Sequence, residues 1–283
     1  MENFNAWIGK KEISDDFVSS RPVEMMQALL NQEDKNLTVL PHLYHWFYFL
    51  PIVDGQELAE DGHPKKGSFL PPIPFPKRMW AGGRLHFISP IHINQNIRRE
   101  SEILKVELKH GKSGDMYFVT VKHSIYAEDK LAITEEHDIV YREASNQVQT
   151  QASTQVSTVK TDDSRNYTYK KQFPIDTVSL FRYSAITFNG HRIHYDRPYA
   201  TQIEGYPGLI VHGPLLATLL LHTFKKENPN KEVSSFEFRA VNPVFDFNDF
   251  YICGDIQQEN GELWIEKEDG LVAMKAKISF KEE

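Results

Sequence analysis

The chain has 283 residues, which is enough for two modest domains or one large one, because domains usually contain ~100–200 residues. Apolar residues make up 40% of it and charged residues 25%, a balance typical of globular proteins and not of disordered chains. The formal net charge of -7 argues against a nucleic-acid partner, since nucleic-acid-binding modules normally carry a basic stripe or patch.

Three features of the sequence bear on location and on the role of cysteine. Residues 1–11 are too polar for a signal peptide and too acidic for a transit peptide, so we expect a cytoplasmic protein. The most apolar run, residues 209–224, is shorter than the ~18–20 residues of a membrane span and predicts a buried helix, with no membrane partner.

Cys253 lies in an apolar, aromatic stretch that predicts a buried strand, so we expect a core thiol and not a nucleophile.

The first part of the chain predicts helical segments followed by strands. Pro22 opens an amphipathic pattern over residues 23–30, and Pro41 opens a second, aromatic-rich segment that runs to residue 49. Alternating polar and apolar residues then predict two strands with a turn between them, at residues 101–108, 111–115 and 116–126.

A polar tract divides the chain. Residues 144–164 are rich in Ser, Thr and Gln and contain no aromatic residue, which predicts a linker between an N-terminal lobe at 1–143 and a C-terminal lobe at 165–283. The second lobe again places a helix before strands, at residues 211–224, 236–241, 250–257 and 272–280. Asn260-Gly261 and Asp269-Gly270 predict the turns of antiparallel hairpins.

The densest group of unusual residues lies between positions 188 and 214. His191, His194 and Asp196 have the chemistry of metal ligands, but their spacing on a turn-like segment fixes no common face, and we expect no metal. Such side chains can also cap backbone groups without doing chemistry. Gly213-Pro214, however, directly precede the long apolar helix, and the first N–H groups of a helix can hold an oxyanion.

Signatures of several other enzyme classes are missing from the sequence. It contains no G-x-S-x-G nucleophile elbow, no G-x-x-x-x-G-K-[ST] phosphate loop and no G-x-G-x-x-G dinucleotide turn. We therefore expect neither a nucleotide-driven nor a hydride reaction, and no cofactor.

Several stretches resemble the MaoC-like, R-specific enoyl thioester hydratases. In the C-terminal half they are Asn189-x4-His194, Ala200 and the stretch from Gly208 to Gly213, which ends Ile-Val-His-Gly. The N-terminal half is similar to the degenerate partner lobe of a two-lobed subgroup, which includes mesaconyl-CoA hydratases and mitochondrial-type hydroxyacyl thioester dehydratases. The residues that carry this similarity are Trp46, Asp61-Gly62-His63-Pro64, Leu70-Pro71-Pro72, the run from Arg78 to Gly83 and the run from Asp138 to Arg142.

The resemblance implies an α+β double hotdog, in which two curved antiparallel sheets each wrap around a central helix and continue into one another. It also implies reversible hydration of a 2-enoyl thioester to an (R)-3-hydroxyacyl thioester. The carrier would be coenzyme A or acyl carrier protein, and the acyl group could be short, branched and dicarboxylic, such as mesaconyl. One chain would mimic a dimer, and the candidate assembly is a homodimer of such chains.

By position, the resemblance makes His194 the catalytic histidine and places Gly213 at the thioester oxygen. Asn189 stands where the family has an aspartate. Because an amide cannot take a proton, we expect Asn189 to orient the water and His194 to carry out all proton transfer. For hydration, log(kcat/KM) should then rise with pH through about the histidine range, ~6.5 unless the pocket shifts this pKa, and stay flat above it. The alternative is that a carboxylate replaces the missing aspartate, and the candidates are Asp61, Asp196 and Glu204.

We expect further substrate contacts from residues on both sides of the site, namely His191, Arg192, His212, Arg78 and Trp80. The proline-rich loop at residues 61–78 either covers the core of the first lobe or forms part of the acyl pocket. Two other functions remain open, which are thioester hydrolysis, also supported by hotdog folds, and binding of an acyl thioester without catalysis.

Overall fold

A computed structural model describes residues 4–32, 37–111, 114–143 and 166–282. The N-terminal half of the chain (described up to residue 143) contains β1 Lys11–Phe17, α1 Ser20–Leu29, β2 Lys77–Phe87, β3 Asn96–Gly111, β4 Gly114–Ala127 and β5 Lys130–Arg142. The C-terminal half (described from residue 166) contains β6 Tyr169–Phe173, α2 Thr177–Ile186, α3 Gly213–Glu227, β7 Lys231–Ala240, β8 Phe250–Ile256, β9 Asn260–Lys267 and β10 Val272–Glu282.

The ten strands form one antiparallel sheet in the order β1-β3-β4-β5-β2-β7-β10-β9-β8-β6. The two halves have the same topology, since in each the second strand lies at the centre and the first at the edge. They join through β2 and β7, which pair from Gly82↔Arg239 to His86↔Ser235. The prediction that the sheets of the two halves continue into one another is therefore confirmed, as is the α+β class.

Helix α3 forms the core of the C-terminal half. Its sequence is apolar on nearly every side, and a helix of this kind is stable only when it is surrounded by protein. Pro214 fits its first turn, where no intrahelical N–H is needed, and Lys225 and Lys226 lie in its last turn, where cations are favoured. The helix packs against β7, β8 and β9, and its N-terminus is thereby fixed relative to the sheet.

The N-terminal half has no helix of comparable length at the matching place among its described residues. Between α1 and β2 the chain forms a 3-10 turn, Tyr44–Phe47, whose rings are buried in the main core. The proline-rich loop covers a second apolar cluster with Ile73, which is fully buried against Ile103 and Tyr141. The burial of Ile73 supports the first of the two interpretations of this loop, a cover over apolar residues of the first half, and its role in the acyl pocket stays a prediction.

Other predictions were partly right. Helix α1 begins at Ser20, three residues before its predicted start. Strand β10 buries alternate residues from Met274 to Phe280, as predicted. The predicted turn at Asn260-Gly261 was wrong, because both residues already belong to β9 and the turn precedes them. The predicted linker at 144–164 lies outside the described residues.

Two further points concern burial. Cys253 is fully buried in β8, as expected for a core thiol. Among the described residues, no helix has the length and the apolar character needed to cross a membrane.

Candidate active site

The candidate site lies where two loops, one from each half, meet in front of α3. The loop after α2 approaches the segment Asp61–Pro64 so closely that a Cβ on Gly62 would lie 1.9 Å from the Gly190 carbonyl oxygen. The Arg192 N–H donates to the Asp61 carbonyl oxygen at 2.9 Å. Gly62 has a φ of +89°, a conformation that glycine adopts without steric cost. The N-terminal half therefore contributes directly to a site whose motif lies in the C-terminal half.

Asn189 shapes the loop through its own side chain. The residue before it, Phe188, has a φ of +48°, and Asn189 Oδ1 accepts a hydrogen bond from the His191 N–H at 3.0 Å. This is an Asx turn, in which a short polar side chain replaces a backbone acceptor. Asn189 Oδ1 therefore already accepts one hydrogen bond, from the His191 backbone, and has less capacity to accept another from a bound water.

His194 is held in one tautomer. Its Nδ1 lies 2.7 Å from the Ile210 carbonyl oxygen, and because a carbonyl can only accept, Nδ1 carries the hydrogen and Nε2 the lone pair. The side chain is only 7% exposed. Burial lowers the pKa of His194 to about 4, with a further lowering from nearby His63 and an opposing effect of the Ile210 carbonyl. At neutral pH, His194 is an uncharged proton acceptor.

The ring of His212 packs against the ring of His194. The two rings stack with centroids 3.7 Å apart and planes 19° apart. His212 Nε2 lies 2.8 Å from Ser184 Oγ, and Nδ1 has no hydrogen-bond partner among the described residues. Burial, reinforced by His194 and His191, lowers the pKa of His212 well below its ordinary value. His212 is 1% exposed and is also the N-cap residue of α3, so it connects the histidine to the helix terminus.

Gly213 begins α3 with open space in front of it. A Cβ added at Gly213 would meet no protein atom within 4 Å outside its immediate neighbours and the helix. The first N–H groups of a helix have no intrahelical partner and carry the positive end of the helix dipole. The structure therefore places a small open space, an N–H donor and the stacked pair His194–His212 next to one another, as an oxyanion site requires.

Asp61 and His63, which are partly exposed, form a group with the buried His191 beside His194. Asp61 Oδ2 accepts from His63 Nδ1 at 3.0 Å, and the rings of His63 and His191 have centroids 4.1 Å apart. Burial, with contributions from His63 and His194, lowers the pKa of His191 to about 2. Burial also lowers the pKa of His63, against the effect of Asp61.

These three residues also meet a distance requirement for metal binding. Their ligand atoms lie within 4.8 Å of one another, whereas the trio considered from the sequence, His191, His194 and Asp196, is not such a group in the described chain. Both Asp61 oxygens already accept hydrogen bonds from His63, at 2.9 and 3.0 Å. Each Asp61 oxygen therefore already has a hydrogen-bond donor in His63, and the two residues form a carboxylate–histidine pair.

The remaining candidates differ in where they lie. Arg78 acts electrostatically on both His63 and His191, and it forms no ion pair with a described carboxylate. Arg192 is engaged in holding the loop, since it donates to Asp196 at 2.8 and 2.9 Å and stacks on the Tyr199 ring.

Trp80 belongs to a different group of side chains. Its ring contacts are with Trp46, His137 and Phe238, whereas the ring contacts of His194 are with His191 and His212. The indole Nε1 is buried and has no hydrogen-bond partner in the described part of the chain.

The three carboxylates considered as replacements for the missing aspartate differ in their partners. Asp196 accepts from Arg192 and from the Tyr199 N–H at 3.1 Å, and Glu204 lies 3.7 Å from Lys77. Asp61 is the member of the three that joins the histidines, and it does so through His63. From the sequence, Asp61 was considered as a replacement for the missing aspartate, whereas His63 was named only within the motif that carries the resemblance and was not predicted as a site residue.

Comparisons with known proteins give a consistent result. Residues 43–246 match the family model of hydroxyacyl-thioester dehydratase type 2. The chain is 42% identical over 278 residues to a mesaconyl-C(4)-CoA hydratase of Chloroflexus aurantiacus, covering 97% of each protein. It is 28% identical to a mitochondrial hydroxyacyl-thioester dehydratase type 2 of Schizosaccharomyces pombe, covering 91% of this chain and 93% of that one.

Two solved structures show the fold. A MaoC-like dehydratase from Phytophthora capsici superposes with a TM-score of 0.67 at 11% identity, covering 100% of both chains. A double-hotdog protein of Mycobacterium tuberculosis superposes with a TM-score of 0.59 at 11% identity, covering 98% of this chain and 96% of that one. The predicted double-hotdog fold is confirmed.

Proposed function

Because this chain belongs to the hydroxyacyl-thioester dehydratase type 2 family, we propose that it interconverts a 2-enoyl thioester and a 3-hydroxyacyl thioester by adding or removing water. The observation that carries the proposal is the juxtaposition of His194, with a free Nε2 lone pair, and the open N-terminus of α3 at Gly213. A base and an oxyanion site are the two elements that conjugate addition to a thioester needs.

In the hydration direction, the Gly213 N–H receives the thioester oxygen. The water oxygen attacks Cβ while His194 Nε2 accepts a proton from it, and the π electrons move toward Cα and the thioester oxygen. The enolate then collapses, and the proton returns from His194 to Cα. A single base that takes and returns the proton on one face gives syn addition and, with the family's orientation, the R alcohol.

The proposed substrate is an acyl-CoA whose acyl group is short and carries a second carboxylate, like mesaconyl. The 42% identity to a mesaconyl-C(4)-CoA hydratase supports this choice. Arg78 supports it too, because this half-buried cation near His63 and His191 makes no ion pair with a described carboxylate and could meet the free carboxylate of the substrate.

The carrier, the location and the oligomeric state of this protein are inferred from its relatives and from its surface. Acyl carrier protein is the alternative carrier. A role in fatty acid metabolism is proposed from the family, and a cytoplasmic location from the 42% identity to the Chloroflexus aurantiacus hydratase. A homodimer is proposed because α1 and α2 expose apolar side chains side by side, among them Met25, Val178 and Phe181.

A substrate panel tests the function. The protein is incubated with crotonyl-CoA, longer 2-enoyl-CoAs and mesaconyl-C(4)-CoA, and products are identified by mass spectrometry. Hydrated products support the proposal, free coenzyme A would indicate a thioesterase, and binding without turnover would indicate an acyl-thioester-binding protein. Arg78→Gln is expected to lower the rate of hydration of mesaconyl-C(4)-CoA more than that of crotonyl-CoA. The surface variant Arg21→Gln serves as the control.

A further inference from the structure

An Asp–His pair from the N-terminal half stands within the site. The Asp61 carboxylate accepts two hydrogen bonds from His63, from its backbone N–H at 2.9 Å and from its ring Nδ1 at 3.0 Å. Since a carboxylate accepts and the ring nitrogen donates, His63 carries its hydrogen on Nδ1 and a lone pair on Nε2. His63 and His194 therefore adopt the same tautomer, each held by an oxygen acceptor behind it.

The position of His63 is fixed by contacts between the two halves of the chain. Gly62 lies against the Gly190 backbone, and the Asp61 carbonyl oxygen accepts from the Arg192 N–H. These contacts bring the ring centroids of His63 and His191 to 4.1 Å from one another. The ring centroids of His191 and His194 are 5.4 Å apart. His63 is close enough to lower the pKa of His194.

A second hydrogen-bond acceptor would help the site to orient the attacking water. A water that attacks Cβ points a lone pair at carbon, so both of its O–H bonds need acceptors to hold it in that orientation. His194 Nε2 can take one of them. The resemblance would place an aspartate as the other, but Asn189 stands there and its oxygen already accepts from the His191 N–H.

We propose that His63 is a second catalytic residue, whose Nε2 accepts a hydrogen bond from the attacking water, and that Asp61 is a positioning residue that holds the His63 ring. This inference rests on the proposed hydratase function. The O–Cβ bond forms, the π pair moves toward the thioester oxygen, and one water proton goes to His194 and then to Cα. The second O–H bond, which His63 holds, stays intact and becomes the hydroxyl of the product.

Replacement of His63 gives a test with an internal rescue. His63→Leu removes the acceptor, whereas the side-chain oxygen of His63→Gln reaches approximately the place of Nε2 and can accept the same hydrogen bond. We expect His63→Leu to lower kcat by about 10²-fold with little change in KM, because the water loses its orientation. We expect His63→Gln to recover at least about a tenth of the wild-type kcat, and Asp61→Asn to fall between the two.

A matched control is available on the surface. His110 Nδ1 lies 2.7 Å from Asp115 in another His–Asp pair, at the end of the hairpin formed by β3 and β4, and His110→Leu should leave kcat unchanged. All variants are compared at equal folded fraction, judged by circular dichroism and thermal unfolding. Metal content is measured in parallel by mass spectrometry.

The outcomes separate the two proposals. A wild-type protein that hydrates none of the thioesters would overturn the proposed function and this inference with it. An active wild-type protein with unimpaired His63→Leu, or with His63→Leu and His63→Gln equally impaired, would overturn the inference alone. A stoichiometric metal ion would also overturn the inference if His63→Leu loses it and if its removal from the wild type abolishes activity. Asp61, His63 and His191 would then be a metal site.

Discussion

Gly62 and Gly190 bring the backbones of the two halves into direct contact, and a Cβ on Gly62 would overlap the Gly190 carbonyl oxygen at 1.9 Å. The contact places Asp61 and His63 beside His191. It explains how residues far apart in the sequence can share one reaction centre.

The first prediction follows from that contact. Gly62→Ala must push the two loops apart, and a displacement of about 1 Å in a positioned group can cost ~10²-fold in rate. Gly67→Ala is the matched control, because Gly67 also has a positive φ, +106°, but its Cβ would meet only Pro72 Cβ at 3.6 Å. Both variants carry backbone strain, so kcat should fall sharply in Gly62→Ala alone. Equal kcat in the two variants would contradict the role assigned to the contact.

A second prediction concerns the oxyanion site. Gly213→Ala adds a methyl group where no protein atom lies within 4 Å, so folding should be little affected. If the thioester oxygen binds at this helix terminus, the methyl group enters the space of the substrate and turnover should fall by about 10-fold or more, toward the ~10²–10³ typical of losing one oxyanion donor. Steady-state kinetics with the best substrate of the panel measure this. Unaltered turnover in Gly213→Val as well would exclude the helix terminus as the binding site.

The third prediction concerns pH. His194 must be neutral to accept a proton, and burial lowers its pKa to about 4, so it is neutral above that pH and protonated below it. Because the pKa values of His63 and His191 are also lowered, no further limb is expected at neutral pH. For hydration, the contribution of His194 to log(kcat/KM) should rise with pH up to about 4, and the contribution of His63 should be complete below the ordinary histidine pKa of 6.5. The profile is recorded only where circular dichroism shows folded protein, and a limb near the ordinary histidine pKa of 6.5 would contradict the account.

The site and the fold could be predicted from the sequence to different depths. Helix α3 was predictable because its apolar run is long, and β10 because it alternates cleanly. Strand β2 was missed since its Gly82-Gly83 pair suggests a turn. In the structure, a Cβ on Gly82 would lie 2.4 Å from the Phe238 carbonyl oxygen, so the glycine is needed where β2 meets β7.

Helix α2 and His63 were missed for other reasons. In α2, Val178 and Phe181 are exposed while Leu180 and Tyr183 are buried, so the sequence lacks a clean amphipathic pattern. His63 joins His191 only through contacts between the two halves of the chain, and no local pattern reports contacts of that kind.

The fourth prediction concerns a buried polar cluster in the N-terminal half. Glu135 is 2% exposed and accepts hydrogen bonds from His45 at 3.0 Å, from Trp46 at 2.8 Å and from His137. Burial alone would raise the pKa of Glu135, but His137 and His45 outweigh it and hold the pKa well below its ordinary value. Both Glu135 oxygens have hydrogen-bond donors, so we expect the cluster to stabilise the fold.

Glu135→Gln turns an amide NH2 toward these donors and should lower the free energy of unfolding by about 1–3 kcal/mol at pH 7. The control is Glu136→Gln, which affects only a half-exposed pair with Arg84 and should change it by about 0.5 kcal/mol or less. A depressed carboxyl pKa stabilises above the unfolded value of 4.5, so the effect of Glu135→Gln should shrink as pH falls below that value. Urea unfolding at pH 7 and at acid pH measures both, and equal loss in the two variants would contradict the assignment.

The most direct test of the central claim is hydration of mesaconyl-C(4)-CoA or of the best alternative enoyl-CoA by the wild-type protein and by His194→Ala, followed by mass spectrometry. The wild type should form the hydrated thioester, and His194→Ala should be slower by about 10²–10⁴-fold while its thermal unfolding stays close to that of the wild type. His222→Ala, which alters a histidine on α3 outside the site, should retain full activity. Near-normal hydration by a folded His194→Ala protein would contradict the account.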